Sequence, residues 1–464
     1  FIRPVFCTLC RKEDAMSKQR IQLSDHFTYS RLLRFVLPCI GTMLFTSIYG
    51  IVDGLCVSNF VGKTAFAAVN LIMPLPMLLG TIGFMLGTGG SAIVGITLGE
   101  GDQKKADRYF TLFLLAALIS VSVLAVLGIV FLRPIAVLLG AKGELLDYAV
   151  RYGRILMVSL PTFALQNMFQ SFFVTAEKPH LGFWFTVGAG CTNMVLDVLM
   201  VGIWGWGVEG AAIATFISQL VGGVLPVFYF IDRSNSSRLH LCKTSFYSKV
   251  LRDACINGSS ELMTNLSMSL VNILYNFQLL RLAGENGVAA YGVIMYAAFL
   301  FVAVFVGYAV GSAPIVSFHY GARNHAEVHN LYRKSLRLIA VVAVTLTLAS
   351  MFIIPCVARV FVGYDAELLA LTSRAFRLYA LSFLIMGFNV YASSFFTALG
   401  DGVTSALISF LRTLAFQVIA ILLLPLLLGI DGIWLAVTAA ELAALAVSAA
   451  MLLTKDKVFH YRKA

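Results

Sequence analysis

The chain has 464 residues, 59% of them hydrophobic and 12% charged, with a formal net charge of +11. A soluble domain carries about 25% charged residues, so half that fraction over this length excludes a soluble globular protein and indicates a polytopic membrane protein. The basic excess does not mark a nucleic-acid partner, because its placement along the chain follows membrane topology.

Apolar windows of about 20 residues or more, the length a helix needs to cross hydrocarbon, recur from end to end. In chain order they predict spans at 33–58, 66–97, 108–132, 145–176, 180–203, 208–231, 250–280, 288–318, 331–355, 367–399, 402–429 and 431–453. No window alternates with the period of two that a barrel strand needs. The fold class is therefore an all-α polytopic membrane protein with twelve transmembrane helices.

With the N-terminus taken as cytoplasmic, Lys104, Lys105, Arg108, Lys178, Arg233, Arg238, Lys243, Lys249, Arg252, Arg323, Arg333, Lys334 and Arg337 fall on the cytoplasmic side with both tails. The opposite side holds little beyond Lys63, Arg133, Lys142, Arg281, Arg359 and Arg374. This positive-inside asymmetry predicts a multi-pass protein of the inner (cytoplasmic) membrane with both termini in the cytoplasm. No cleavable signal peptide is expected, since the first long apolar run already has spanning length. Met16 opens a more plausible basic start, so residues 1–15 are set aside from the functional argument. Cys7 and Cys10 form a CxxC that no second pair completes into a zinc site.

A shift of 222 residues overlays the chain on itself. Residues 61–78 fall on 283–300, and "GGSAIVGITLGEGD" (89–102) falls on "GSAPIVSFHYGARN" (311–324), matching Gly89, Ile93, Val94 and Gly99 with Gly311, Ile315, Val316 and Gly321. The predicted organisation is a cytoplasmic tail (1–30), a six-helix bundle (31–231), a charged cytoplasmic linker (232–252), a second six-helix bundle (253–453) and a tail (454–464). Six spans return the chain to its starting side, so the halves run parallel, related by an axis along the membrane normal. Two pseudo-symmetric bundles of this kind form a V-shaped transporter, with substrate between the halves and alternating access.

An acid within a span costs about 2.5–3.5 kcal/mol on insertion scales, which makes such residues functional candidates. Pro38 lies early in the first span, where it either bends the helix or simply marks its entry. Asp53 follows with Tyr49 one turn below it. In the fourth span Gln166, Asn167 and Gln170 form a polar stripe that lines a cavity or hydrogen-bonds between helices. Asn193 and Asp197 share a face of the fifth span at i,i+4. At about 1.5 Å rise per residue, Asp53 lies roughly 30 Å and Asp197 roughly 26 Å from the cytoplasmic entry of their helices, and Thr215 lies roughly 10 Å below the opposite face. These depths allow Asp53, Asp197 and Thr215 to meet. Two carboxylates, an amide and two hydroxyls suit either an oxygen-rich cation site or a proton site, because neighbouring acids in low dielectric cannot both stay ionised. A helix-end carboxylate reaching water is the other reading of Asp197.

The second half lacks these groups: Asp53 maps onto Tyr275, and the mates of Asn193 and Asp197 fall in "LAFQVIAIL" (414–422). Glu261, eleven residues into the seventh span, attracts a cationic substrate, carries a proton or makes a structural hydrogen bond. Arg412 in the eleventh span pairs with a lipid phosphate or an acid. Glu177 falls at the cytoplasmic rim. "HAEVH" (325–329) lacks the HExxH order and reads as an amphipathic surface turn, and "GTGGSA" (87–92) reads as close helix packing, since no GK[ST] follows.

"IYGIVDGLCVSNFVGKTAFAAVNLIMP" (48–74), "GTGGSAIVGITLGEGD" (87–102) and the set Asn193, Asp197 and Thr215 resemble the multidrug and toxic compound extrusion (MATE) transporters over about 30–455. The likeness is to the branch with acidic residues in the first and fifth helices of the N-terminal half. The resemblance implies a coupling-ion site for H+ or Na+ at Asp53, Asn193, Asp197 and Thr215, a supporting network at Tyr49 and Asn167, and a helix bend at Pro38. Gln166, Gln170 and Glu261 are the candidates for a substrate cavity. The implied activity is secondary active efflux, exchanging cationic or amphipathic small molecules for external H+ or Na+, by a monomer that contacts only the bilayer and needs no cofactor beyond the coupling ion. The alternative is a flippase for a lipid-linked saccharide precursor, whose anionic cargo would require several cations in the cavity. A membrane enzyme is not expected, as there is no HExxH, no GxSxG and no paired-aspartate metal motif.

Overall fold

The computed structural model describes residues 21–61, 63–363 and 365–462, and it is nearly all helical. The rods, in chain order, are α1 (Tyr29–Phe60), α2 (Lys63–Ile72 and Pro74–Gly99), α3 (Gln103–Leu138), α4 (Glu144–Thr175), α5 (Pro179–Asp197) and α6 (Gly207–Gln219 to Leu225–Ile231). Within Ser248–Gly321, α7 and α8 then follow on either side of a non-helical break at Gly284. After it come α9 (His325–Val362), α10 (Ala366–Ala380 and Phe383–Ala398), α11 (Gly402–Phe410 to Phe416–Leu428) and α12 (Ile430–Thr454). The predicted segments at 1–20 lie outside the described residues.

Nine of the described helices are long and apolar enough to cross a membrane, and the two pieces of α10 make a further span bent by 46°. Gly284 turns the chain with φ 61° and ψ −151°. Beyond it α8 folds back on α7: Tyr291 stacks on Tyr275 at 4.9 Å and donates to Asn272 at 2.7 Å. The remaining pass, α4, is less apolar because Glu144, Asp147, Arg151 and Arg154 occupy its first turns. Together these rods give the twelve-helix architecture.

Helix starts follow their caps. Asp102 accepts from the backbone N–H of Lys105 to begin α3, and its repeat mate Asn324 accepts from that of Glu327 to begin α9. "HAEVH" is therefore the first turn of a helix and not a surface turn, and Glu327 within it is buried.

The core explains the V. One buried cluster draws on both halves at the end of the molecule that carries Leu23 and Tyr461, joining Phe35, Val36, Leu98 and Phe172 to Ile315, Phe318 and Phe395. Toward the opposite end the core divides. One cluster there holds residues of α7 to α12 only, and another holds residues of α2 to α6. The halves are thus packed together at the terminal end and have separate cores at the distal end.

At the terminal end the crossing helices approach at backbone distance. A Cβ added to Gly258 of α7 would lie 1.9 Å from the Met85 carbonyl oxygen of α2, and one on Gly321 of α8 would lie 2.1 Å from that of Ile96. Side chains would force these backbones apart, so the small residues around 87–99 and their mates near 311–321 let α2 cross α7 and α8. Asn257 Nδ2 reinforces the crossing by donating to the Gly89 carbonyl of α2 at 3.4 Å, and it ties α7 to α10 through the Thr397 carbonyl at 2.9 Å.

Two arms cover the same end. The segment before α1 is held by Glu327 of α9, which accepts from the Phe27 backbone N–H at 2.9 Å and contacts His26 Nδ1 at 2.6 Å. Glu177, at the end of α4, accepts from the Leu23 N–H and from Arg238. The segment before α7 docks on α3, where Asp107 accepts from the His240 N–H at 3.1 Å. Each half thereby holds, on its third helix, the arm that leads into the other.

Candidate polar sites in the two halves

In the first half Tyr49, Asn193, Asp197 and Thr215 come from α1, α5 and α6. Asp197 closes the α-helical part of α5, and the six residues after it, Val198–Ile203, widen into a π turn. Such turns break the regular i→i+4 ladder and recur at functional positions. Asp197 is fully buried and Asn193 is 2% exposed. Asn193 Nδ2 donates to Thr215 Oγ1 at 3.5 Å, tying α5 to α6. Its burial sets Asp197 inside the packed helices and away from water. Tyr49 comes from α1, whose Phe45 and Tyr49 pack over Gly190 of α5. Asp53 lies one turn further along α1, and its side chain is outside the described residues.

Pro38 is an interior residue of α1, buried where that helix meets α8: a Cβ on Gly307 would lie 2.5 Å from the Cα of Ile40. Thr42 Oγ1 donates to the Pro38 carbonyl at 2.9 Å. Back-bonding of this kind, next to a missing N–H, weakens the local ladder and favours a bend.

The polar stripe of α4 is partly a packing device. Gln166 is 7% exposed and lies against Gly222 in the π turn of α6, and Asn167 is 5% exposed beside the Gly87 crossing. Gln170 is half-buried. Neither Gln166 nor Gln170 lines the cavity that contains Glu261.

That cavity, of about 320 Å³, lies in the second half and reaches α2 and α4 through Thr88, Ser91 and Ser171. Its walls are apolar and aromatic, with Met268, Tyr275, Tyr291, Met295, Phe299 and Tyr379 prominent. Three of the described lining residues are charged: Glu261 of α7, Arg412 of α11 and Glu441 of α12. Arg412 stands in a π turn, Leu411–Ala415, and its Nη1 is 3.4 Å from Glu441 Oε1. Glu441 is 1% exposed, and Asn389 Nδ2 donates to its Oε2 at 2.7 Å.

Arg412 therefore pairs with an acid and not with lipid phosphate. That acid, Glu441, is missing from the sequence-based set, although the same signal that singles out Glu261 was present: one carboxylate within the apolar run "AVTAAELAALAV" (436–447). Among the described residues no group of three or more His, Cys, Asp or Glu could hold a metal ion.

Comparison with known proteins follows the same division into halves. The family model for MatE matches twice, at residues 38–199 and 262–423. A curated relative, multidrug export protein MepA of Staphylococcus saprophyticus, is 21% identical over 434 residues, covering 93% of this chain and 95% of its own. Among solved structures, an outward-facing conformation of a multidrug resistance MATE family transporter of the MOP superfamily superposes with a TM-score of 0.87 at 23% identity, over 93% of this chain and 96% of that one. A MOP superfamily transporter from Pyrococcus furiosus superposes with a TM-score of 0.85 at 23% identity and the same coverage.

Proposed function

The chain belongs to the MatE family, and from that premise we propose that it is a secondary active multidrug efflux antiporter, exchanging cationic or amphipathic molecules for H+ or Na+. The observation that carries this reading is the fully buried carboxylate of Asp197, one turn from the Asn193–Thr215 bridge in a membrane-spanning bundle. Acids within membrane spans mark ion pathways and proton relays, and release of a proton or cation to one side is a means of coupling.

In this reading Asp53, Asn193, Asp197 and Thr215 hold the coupling ion, with Tyr49 and Asn167 supporting them. Ion entry from the distal side neutralises the two acids, α1 bends near Pro38, and the drug leaves outward. Return to the opposite state releases the ion at the terminal end, which in this reading faces the cytoplasm; the basic residues around it support that orientation. The driving term is the difference in ion affinity between the two states. A membrane chain of two pseudo-symmetric halves, joined at one end and separate at the other, has the geometry alternating access requires. The names of its relatives, multidrug export protein and multidrug resistance transporter, point to the same cargo class.

The charge of the second-half cavity argues for cationic over anionic cargo. A flippase for a lipid-linked saccharide would need several free cations, whereas Arg412 is bound to Glu441. The test is reconstitution in liposomes with an imposed proton or sodium gradient. The proposal expects gradient-driven ethidium transport that Asp53→Asn abolishes with folding intact. Unchanged transport by that variant, or lipid-linked saccharide transport without dye transport, would overturn it.

A further inference from the structure

The second-half cavity holds an unusual charge arrangement. Two carboxylates, Glu261 and Glu441, face one guanidinium, and the three groups come from three different helices. Glu441 is committed, with Asn389 on one oxygen and Arg412 on the other. The only side-chain hydrogen bond that Arg412 makes among the described residues is the 3.4 Å contact to Glu441, and its Nε is buried with no partner. Glu261 makes no side-chain hydrogen bond among the described residues and opens onto the cavity beside Ser260 and Thr264. The formal sum over the charged lining residues is −1, and the uncompensated charge is that of Glu261. The remaining wall is aromatic and thioether surface, including the stacked pair Tyr275 and Tyr291, which suits a flat, weakly hydrated cation.

We propose that Arg412 sets the charge selectivity of this cavity: by neutralising Glu441 it leaves one carboxylate for ligand, so the cavity accepts planar aromatic monocations and rejects dications. A second positive charge on the ligand finds no second free carboxylate in a desolvated space, where an unpaired charge is strongly unfavourable. Arg412 is a specificity residue in this scheme, and Glu261 is the ligand's counter-ion. The inference rests on the efflux reading above and specifies its cargo by charge.

The experiment compares ethidium with propidium, which carries the same phenanthridinium ring and a second, quaternary charge. Binding is read by fluorescence polarisation on the full chain in nanodiscs, so that the outcome does not depend on coupled transport. The wild type is expected to bind ethidium at least ~10-fold more tightly than propidium. Glu261→Gln should lose ethidium binding by ~10-fold or more. Arg412→Gln should erase the discrimination against propidium. The double variant Arg412→Gln/Glu441→Gln restores a single charge and should regain wild-type selectivity.

Should Arg412→Gln fail to fold, Glu441→Gln decides the matter. It leaves the guanidinium uncompensated and should weaken ethidium binding by ~10-fold or more. Selectivity unmoved by Arg412→Gln, equal losses for both dyes, or unaltered ethidium binding by Glu441→Gln would overturn the inference while leaving efflux intact. Absence of ethidium binding by the wild type, together with no gradient-driven transport, would overturn both.

Discussion

Gly258→Ala tests the backbone crossing that seals the terminal end. The new Cβ would stand 1.9 Å from the Met85 carbonyl oxygen, whereas ordinary contact begins near 3.4 Å, so α7 and α2 must part by 1.5 Å (3.4 − 1.9). Overpacking of that kind costs about 1–3 kcal/mol in packed cores. Because the contact joins the two halves, the cost falls on the sealed conformation and shifts the conformational equilibrium about 5- to 150-fold away from it. Spin labels at Lys142 and Arg359, in a cysteine-free background, report the separation of the distal ends by pulsed electron resonance. The expected result is a loss of the long-distance population in Gly258→Ala, with a matching fall in transport. Gly292→Ala in α8 is the control, since nothing lies within 4 Å of its added Cβ. An unchanged distance distribution in Gly258→Ala, or an equal change in the control, would refute the argument that close approach at this crossing maintains the seal.

Three further outcomes follow from the same coordinates. Asp197→Asn keeps the volume of a fully buried side chain and should leave the melting temperature in detergent within a few degrees while lowering gradient-driven transport by tenfold or more. Glu327→Ala removes the acceptor of the Phe27 N–H and of Asn330 Nδ2 and the partner of His26. It should cost about 2–4 kcal/mol, as buried donors lose a charged partner, and hydrogen exchange at residues 22–28 should accelerate. At Asp401, burial would raise the carboxyl pKa, but the bonds from Lys455 and Thr404 outweigh it and hold the pKa below the usual carboxylate value. A lowered folded pKa stabilises above the unfolded value and is lost as pH falls through the folded one. Exchange protection around Lys455 should therefore persist at pH 5 and disappear only in stronger acid, and Asp401→Asn should remove it at neutral pH.

The spans were legible because each needs a long apolar run, and the observed rods extend the predicted windows by a few residues at most ends. The turn between the seventh and eighth windows was legible too, and Gly284 stands within it. Pairing was not. The partners of Glu441 lie 29 and 52 residues earlier in the chain, so nothing local distinguishes this acid from a lipid-facing error. The same holds for Glu327: its helix pattern reads as amphipathic surface, and only an arm about 300 residues away in sequence covers it. The three π turns have no compositional signature, although two of them immediately follow Asp197 or contain Arg412. Small residues near 87–99 signal close packing, and the structure adds which backbones approach.

Two polar sites in separate halves are linked through the core they share, and that core lies at the terminal end. Two helices reach from it into the sites. In α1, Val36, Cys39 and Ile40 pack on Gly307 and Gly311 of α8, while Tyr49 reaches the Asp197 region through Gly190. In α7, Asn257 and Gly258 belong to the seal, and Glu261 follows within one turn, at the cavity. A bend of α1 near Pro38 would disturb its contact with α8, which packs back on α7 through the Tyr275–Tyr291 stack and the Tyr291–Asn272 hydrogen bond. In the proposed cycle, neutralising the first-half acids thus acts on Glu261 by moving the helix that carries it, and no direct contact between the two charged sites is required. The arms limit that motion, because each is anchored on the half opposite to the helix it leads into.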